Sequence, residues 1–207
     1  VVIGAGPCGF MCALILAQAG FRPIVIERGP AVRPRTKQTW DLWRRGILHP
    51  EGNVQFGEGG AGTFSDGKLW SQIRDPFFFG RKLLEEFVKA GAPEEILFIS
   101  KPHVGTFRLV SMVERIRAEI EALGGEYRFD TRVDGLTLDP ATRALRGLRL
   151  SDGTLLETRH AVLAIGHSAR DSFAMLHGEG VQMEAKPFSI GVRIEHPQAL
   201  INARRFG

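Results

Sequence analysis

The sequence predicts an α/β fold: a parallel sheet flanked by helices, an antiparallel β-meander on one face, and the start of a second domain. Two observations carry the prediction. An apolar strand at residues 1–3 leads through glycines into a helix-like run, and a second apolar strand follows at 24–27. Later, turn signals at 139–140 and 151–154 separate the strands of a three-stranded meander. The first pattern is that of a βαβ unit, and the second is that of consecutive hairpins.

The turn after the first strand carries the spacing G-x-G-x-x-G, formed by Gly4, Gly6 and Gly9. Gly4 permits the tight turn, Gly6 leaves room for a pyrophosphate against the backbone, and Gly9 allows the helix to pack closely on the sheet. Pro7 and Cys8 open the helix, whose free N–H groups and positive dipole end favour phosphate. The motif therefore predicts a Rossmann-like dinucleotide-binding domain.

An acidic residue stands where such a site needs one. Glu27 ends the second apolar strand, 18 residues after Gly9. Its carboxylate can accept hydrogen bonds from a ribose 2′-hydroxyl and would repel a 2′-phosphate, so the sequence disfavours NADP at this site. The neighbouring Arg28 weakens that exclusion slightly.

A glycine-rich segment at residues 57–69 is a second candidate for cofactor binding. Its glycines exclude a regular helix or strand and let backbone N–H groups approach a flat ring of a ligand. Thr63 and Ser65 add polar groups, and Lys68 adds a positive charge. A flexible surface loop is the alternative interpretation.

The remaining patterns define the predicted elements and domains. Sequence periodicity and turn residues predict an aromatic helix near 40–45, helices at 80–90 and 107–123, strands at 127–133 and 188–195, and a buried strand at 161–165. We expect a first domain over 1–186, with a candidate insertion at 76–105, and the beginning of a substrate or cap domain over 187–207.

Composition bounds the function classes. Charged residues make up 24% of the chain and the net charge is +4, with basic residues scattered, so nucleic-acid binding is a minor alternative. No apolar run approaches the roughly 18 residues of a membrane span. Cys8 and Cys12 do not form a C-x-x-C pair, the histidines lack metal-ligand spacing, and we expect a cytoplasmic protein without a metal.

This order of parts resembles the FAD-binding domain of two-dinucleotide-binding-domain flavoproteins, in the branch related to fumarate reductase and geranylgeranyl reductase. The resemblance covers about residues 1–195, and residues 162–166 are similar to that group's second glycine motif. The segments 57–69 and 186–197 resemble a narrower family of bacterial FAD-dependent dehydrogenases of unassigned substrate. Members of that family carry further amino- and carboxy-terminal regions, so we expect residues 1–207 alone to be inactive.

The resemblance implies FAD as cofactor, Val133 near the adenine, and Ala164 and Gly166 near the flavin and its phosphates. Candidate catalytic residues are His167, Glu58, Asp66 and Lys68. The predicted cofactor-binding residues are Gly4, Gly6, Pro7, Cys8, Gly9, Glu27, Arg28, Arg35, Gly59, Gly60, Ala61, Gly62, Thr63, Ser65, Val133, Ala164 and Gly166.

The leading functional hypothesis is an FAD-dependent oxidoreductase that transfers hydride through flavin N5 to or from a small-molecule substrate, with NAD(P)H as a candidate partner. One alternative is a flavin- or nucleotide-binding module, or an RNA-modifying flavoprotein. Another, an NAD-only dehydrogenase, fits the fingerprint but not the glycine-rich segment and the meander.

Overall fold

The computed structural model describes residues 1–70 and 73–207. The helices are α1 Pro7–Gln18, α2 Val32–Arg45, α3 Phe79–Lys89, α4 Thr106–Ala122, α5 Arg170–Gly178 and α6 Gln198–Arg205. The strands are β1 Val2–Ile3, β2 Ile24–Ile26, β3 Glu126–Arg128, β4 Val133–Leu138, β5 Leu145–Leu150, β6 Leu155–Glu157 and β7 Val162–Leu163. Two short 3-10 helices span Ala61–Phe64 and Glu94–Leu97.

The strands form two sheets. A parallel sheet has the order β3-β2-β1-β7, and an antiparallel sheet has the order β4-β5-β6. In β1, Val2 lies opposite Val25 of β2 and Val162 of β7. This architecture confirms the predicted α/β fold with its parallel sheet and β-meander.

Alternation along β1 explains the layers, because successive strand residues point to opposite faces. Val2 belongs to a core with Phe10 and Leu14 of α1, together with residues of α3 and α4. Ile3 belongs to a second core with Leu148 of the meander. The parallel sheet therefore lies between a helical layer and the meander.

Helix α2 begins well before the aromatic stretch from which it was predicted. It spans Val32–Arg45, and Pro34 lies in its first turn. A proline is tolerated there because the first backbone N–H groups of a helix have no intrahelical acceptor. The candidate insertion packs on the helical core through Phe87, Ile96 and Val104.

Two strand predictions need correction near the middle of the chain. The strand predicted at 127–133 ends at Arg128, because Asp130 adopts a left-handed backbone with φ of 50° and its N–H donates to the Gly29 carbonyl. The strand predicted as buried at 161–165 is short and exposed, with Leu163 at 46% exposure. It lies at the edge of the sheet, where β1 is its one partner among the described strands.

The prediction of a strand at 188–195 is also wrong. Residues 181–197 have no regular secondary structure, and Phe188, Ile190 and Val192 are at least 84% exposed. A strand needs a partner for its backbone groups and a surface for its apolar face, and the described residues provide neither. Helix α6 follows and buries none of its residues.

No helix in the described part of the chain is both long enough and apolar enough to cross a bilayer.

Candidate functional site

A cavity of about 580 Å³ opens at the carboxyl ends of β1 and β2. This is the position at which open α/β sheets bind ligands, and the volume is typical of small-molecule sites. Five parts of the chain line it: the fingerprint turn, the end of β2, residues 55–62, the start of β4, and the segment from β7 into α5.

The three fingerprint glycines have different surroundings. A Cβ on Gly4 would overlap the Ala164 carbonyl oxygen, and a Cβ on Gly9 would overlap the Gly4 oxygen. By contrast, a Cβ on Gly6 would meet only the Gly60 Cα, at an ordinary 3.6 Å. Gly4 and Gly9 are therefore required for packing of the chain against itself, whereas Gly6 has free space beside it. Gly4 and Gly6 both line the cavity.

Helix α1 presents its amino terminus to this cavity. Gly6 is the N-cap, Pro7 is the first helical residue, and no side chain caps the terminus. Pro7 and Cys8 both line the cavity. Uncapped N–H groups at the positive end of a helix dipole form a suitable site for an anion such as pyrophosphate.

Glu27 is buried at the cavity wall, with 5% exposure. Its Oε2 accepts a hydrogen bond from the Ala5 N–H at 2.8 Å, and its Oε1 accepts from Gly29 and Gly57 at 2.9 and 3.0 Å. A carboxylate can accept about four hydrogen bonds. One acceptor position on Oε2 therefore remains for a ligand hydroxyl, although Glu27 also stabilises the surrounding backbone.

An ionic cluster borders the cavity beside Glu27. Arg28 pairs with Glu51 at 2.6 Å and with Asp171 at 2.8 Å, and Arg132 pairs with Glu51 at 2.7 Å. Arg28 also stacks over Phe56, with its guanidinium carbon 4.2 Å from the ring centroid. Its charge is therefore used within the protein rather than left free for a 2′-phosphate.

The carboxylates of this cluster are held ionised. Burial opposes ionisation of Glu51, but the hydrogen bonds and charges of Arg28 and Arg132 outweigh it, so the pKa of Glu51 is lowered. The hydrogen bond from Arg28 likewise lowers the pKa of Asp171, despite partial burial.

The glycine-rich segment is folded against the protein rather than extended into solvent. Gly60, Ala61 and Gly62 line the cavity. Gly60 has a φ of 67°, and a Cβ there would lie 2.9 Å from the Gly6 Cα. Close approach of the two glycine turns therefore requires glycine at position 60.

Arg35 lies beneath this segment and does not line the cavity. It is fully buried, and its guanidinium donates to the carbonyls of Asn53, Val54 and Glu58 and to the Thr63 hydroxyl. Four other residues predicted to bind the cofactor also lie outside the cavity lining: Gly9, Gly59, Thr63 and Ser65.

Glu58 is a buried structural carboxylate. It accepts from the Val32 N–H at 2.7 Å and pairs with Arg117 at 2.7 Å. Burial raises the pKa of Glu58, although these two contacts oppose the change. Its contacts join α2 to α4, and its side chain does not reach the cavity lining.

The other catalytic candidates separate into two places. Asp66 and Lys68 form an exposed ion pair at 3.2 Å, which lowers the pKa of Asp66, and neither lines the cavity. His167 does line it, with its Nε2 3.3 Å from the Ser168 hydroxyl. His167 is thus the one member of the four at the cavity. Among the described residues, no cluster of His, Cys, Asp or Glu could hold a metal.

Several cavity residues were missed by the sequence analysis. The predicted residues Val133, Ala164 and Gly166 line the cavity, but so do several neighbours that were not predicted. Those neighbours include Gln55, Phe56, Arg132, Leu163, Ser168, Ser172, Phe173, Met175 and Leu176. Proximity along the chain to Val133 and Gly166 could have suggested some of them. Helix α5 carried no recognised signal.

Comparison with known proteins adds the cofactor. Residues 1–40 match the family model described as an FAD binding domain. That span contains the whole βαβ unit and Glu27, and it indicates FAD as the cofactor of this chain.

An uncharacterized protein of Clostridium beijerinckii is 49% identical over all 207 residues. The chain spans 38% of that relative's length. This identity supports a shared fold over the 207 residues, but the comparison does not indicate an activity.

Solved structures extend the fold comparison. Thermovibrio ammonificans THI4 superposes with a TM-score of 0.56 at 17% identity, covering 87% of this chain and 62% of that one. A probable FAD-dependent monooxygenase, pqsL of Pseudomonas aeruginosa, gives a TM-score of 0.49 at 19% identity, covering 90% of this chain and 46% of that one. The first likeness shows the Rossmann-like fold, and the second is too low to add to it.

Proposed function

We propose that this chain is the cofactor-binding part of an FAD-dependent oxidoreductase acting on a small-molecule substrate. One observation carries the proposal. The uncapped α1 terminus, with Gly6 open to the cavity, and the spare acceptor position of Glu27 line the same cavity, within the residues that match the FAD binding domain model.

The chain's residues fit the parts of FAD by their chemistry. The α1 terminus at Gly6 and Cys8 would hold the pyrophosphate, and Glu27 would accept a hydrogen bond from the adenosine ribose. The backbone at Gly60 and Gly62 would approach the ribityl chain or the flavin. When bound, FAD supplies hydride transfer at flavin N5.

The protein's own contribution is to bind, orient and exclude water. The cavity is lined largely by apolar groups such as Ile3, Leu163 and Met175, which favour a flat aromatic ligand. His167 is the titratable candidate for holding or moving a proton at the cavity.

The test begins with the absorption spectrum of the purified protein. A bound flavin should give a yellow protein that dithionite bleaches, and FAD should be released on denaturation. Anaerobic titration with NADH and NADPH then asks whether a nicotinamide reduces the flavin. A protein that purifies without flavin and shows no saturable FAD binding in a fluorescence titration would contradict the proposal.

Reoxidation distinguishes an enzyme from a binding module. Without oxygen, we expect a small organic acceptor to reoxidise the reduced flavin, whereas the flavin should stay reduced in buffer without an acceptor. Tight, salt-sensitive binding of RNA with no such acceptor would favour the RNA-modifying alternative.

A further inference from the structure

Arg35 is a buried cation whose guanidinium donates its hydrogen bonds to one segment of the chain, residues 53–63. Its side chain has no exposed surface. Nε donates to the Asn53 carbonyl at 2.9 Å and Nη2 to the Val54 carbonyl at 3.0 Å. Nη1 donates to the Glu58 carbonyl at 2.7 Å and to the Thr63 hydroxyl at 3.2 Å. One guanidinium thus fixes four points between residues 53 and 63.

Burying this charge is unfavourable, and no carboxylate in the described chain forms a salt bridge with it at 4 Å or less. Burial lowers the pKa of Arg35 to about 10, while the charges of Glu27 and Glu58 favour its protonated form. It therefore stays charged near neutral pH. The contacts that compensate for its desolvation are the carbonyls of Asn53, Val54 and Glu58 and the Thr63 hydroxyl.

Gly57 links this network to the cavity. Its N–H donates to Glu27 Oε1 at 3.0 Å, on the cavity side. On the other side, a Cβ at Gly57 would overlap the Cδ of Arg35. Gly57 is therefore held between the carboxylate that faces the cavity and the buried guanidinium. The chain then continues directly into Gly60 and Ala61 of the cavity wall.

We propose that Arg35 is a positioning residue for the cofactor site. It sets the backbone path of residues 57–62 and the orientation of Glu27, and so controls FAD affinity without touching the cofactor. The inference rests on the proposed function, since it assumes that FAD occupies this cavity. It replaces the expectation that Arg35 contacts the cofactor directly.

The test compares Arg35→Lys and Arg35→Met with the same changes at Arg33, in the full chain. Arg33 lies two residues away on α2, is 66% exposed, and pairs with Glu114. FAD dissociation constants are measured by fluorescence titration, and visible circular dichroism reports the environment of the bound flavin. Thermal unfolding without FAD reports stability separately.

We expect Arg35→Met to raise the FAD dissociation constant at least tenfold and to change the flavin dichroism. Arg35→Lys should fall between it and the wild type, because an ammonium cannot reproduce the planar set of donors. Both Arg33 variants should bind FAD like the wild type. An Arg35→Met protein that unfolds at a lower temperature but binds FAD with unchanged affinity and dichroism overturns the inference.

Thr63→Val covers the case in which the Arg35 variants do not fold. It removes one acceptor of the guanidinium, together with the hydroxyl's own hydrogen bond to the Gly60 carbonyl, and leaves the buried charge in place. A several-fold weaker FAD affinity supports the inference, and an unchanged affinity contradicts it. If the wild type itself binds no FAD, the proposed function fails. If the wild type binds FAD and the variants bind it equally well, only the role of Arg35 fails.

Discussion

The glycine-rich segment at residues 57–69 and the segment at residues 181–197 are both largely irregular, but their surroundings are opposite. In the first, Glu58 and Thr63 are almost fully buried and their polar groups are hydrogen-bonded. In the second, Phe188 and Ile190 are almost fully exposed. The first segment has the weaker apolar pattern and yet the more closely packed structure.

The difference shows what gives an irregular segment its structure. Residues 57–63 are held because Arg35, Glu27 and the Gly6 turn satisfy or contact their backbone. The alternating apolar residues of 188–194 have no such partners in the described chain. Satisfied backbone polar groups, rather than apolar alternation alone, therefore determine whether such a segment packs.

The largest expected effect is at the carboxylate that holds the first segment. Glu27→Ala would leave three backbone N–H groups without their acceptor, at about 1–3 kcal/mol for each buried group. We therefore expect a loss of stability together with weaker FAD binding. Urea unfolding and FAD titration measure the two effects.

The matched change in the exposed segment is Glu195→Ala, which should leave both measurements unchanged. If Glu27→Ala unfolds at the wild-type urea midpoint, the carboxylate does not support the segment as its contacts indicate.

The second prediction compares Gly6, whose turn contacts the first segment at Gly60, with a glycine of the exposed segment. Gly6→Val places a branched side chain at the cavity, and we expect at least a hundredfold loss of FAD affinity, about 2.7 kcal/mol. Stability should change less, because a Cβ at Gly6 meets only an ordinary 3.6 Å contact.

Gly191→Val is the control, since a Cβ at Gly191 has no neighbour within 4 Å. It should bind FAD as the wild type does. A Gly6→Val protein that keeps a full complement of flavin would show that this turn is not the phosphate site.

The third prediction concerns pH and the ionic cluster beside the first segment. The pKa values of Glu51 and Asp171 are lowered in the folded protein. Their stabilising contribution is therefore present above the ordinary values of 4.5 and 3.8 and is lost as the pH falls through the lower, folded values.

The melting temperature should accordingly decline below about pH 4.5, and Arg28→Met should flatten that decline. Scanning calorimetry between pH 3 and 7 measures it. Identical pH profiles for the wild type and Arg28→Met would show that the cluster does not contribute to acid sensitivity.

The smallest effect is expected from the exposed region as a whole. Removing residues 183–207 deletes helix α6 and the apolar alternation but no residue of either core. The remaining chain should unfold within about 0.5 kcal/mol of the 207-residue chain, as surface changes generally do. A larger loss of stability in urea would mean that this region packs on the domain in solution.

Much of the fold is predictable because its signals are local. The spacing of Gly4, Gly6 and Gly9 and the acidic end of the second strand predict the βαβ unit, and turn residues predict the meander. The likeness to THI4 supports the same fold over most of the chain.

The site is less predictable because its contacts are distant in sequence. In the sequence, nothing distinguishes Arg35 from other helical arginines, because its acceptors lie in the 53–63 segment. Arg28 pairs with Asp171, which lies 143 positions further along the chain. The short β7 strand likewise depends on β1, to which no local pattern points. Such contacts arise from tertiary packing and cannot be predicted from the periodicity of apolar residues in the sequence.

The position of β1 also constrains how the protein is made. β1 is central in the parallel sheet and pairs with β7, whose first residue is Val162. A ribosome that has released the fingerprint must therefore still reach Val162 before β1 gains its second neighbour. The wall that α5 contributes to the cavity is made later still. The cavity thus cannot assemble when its most recognisable motif is made, but only after residues far along the chain have followed.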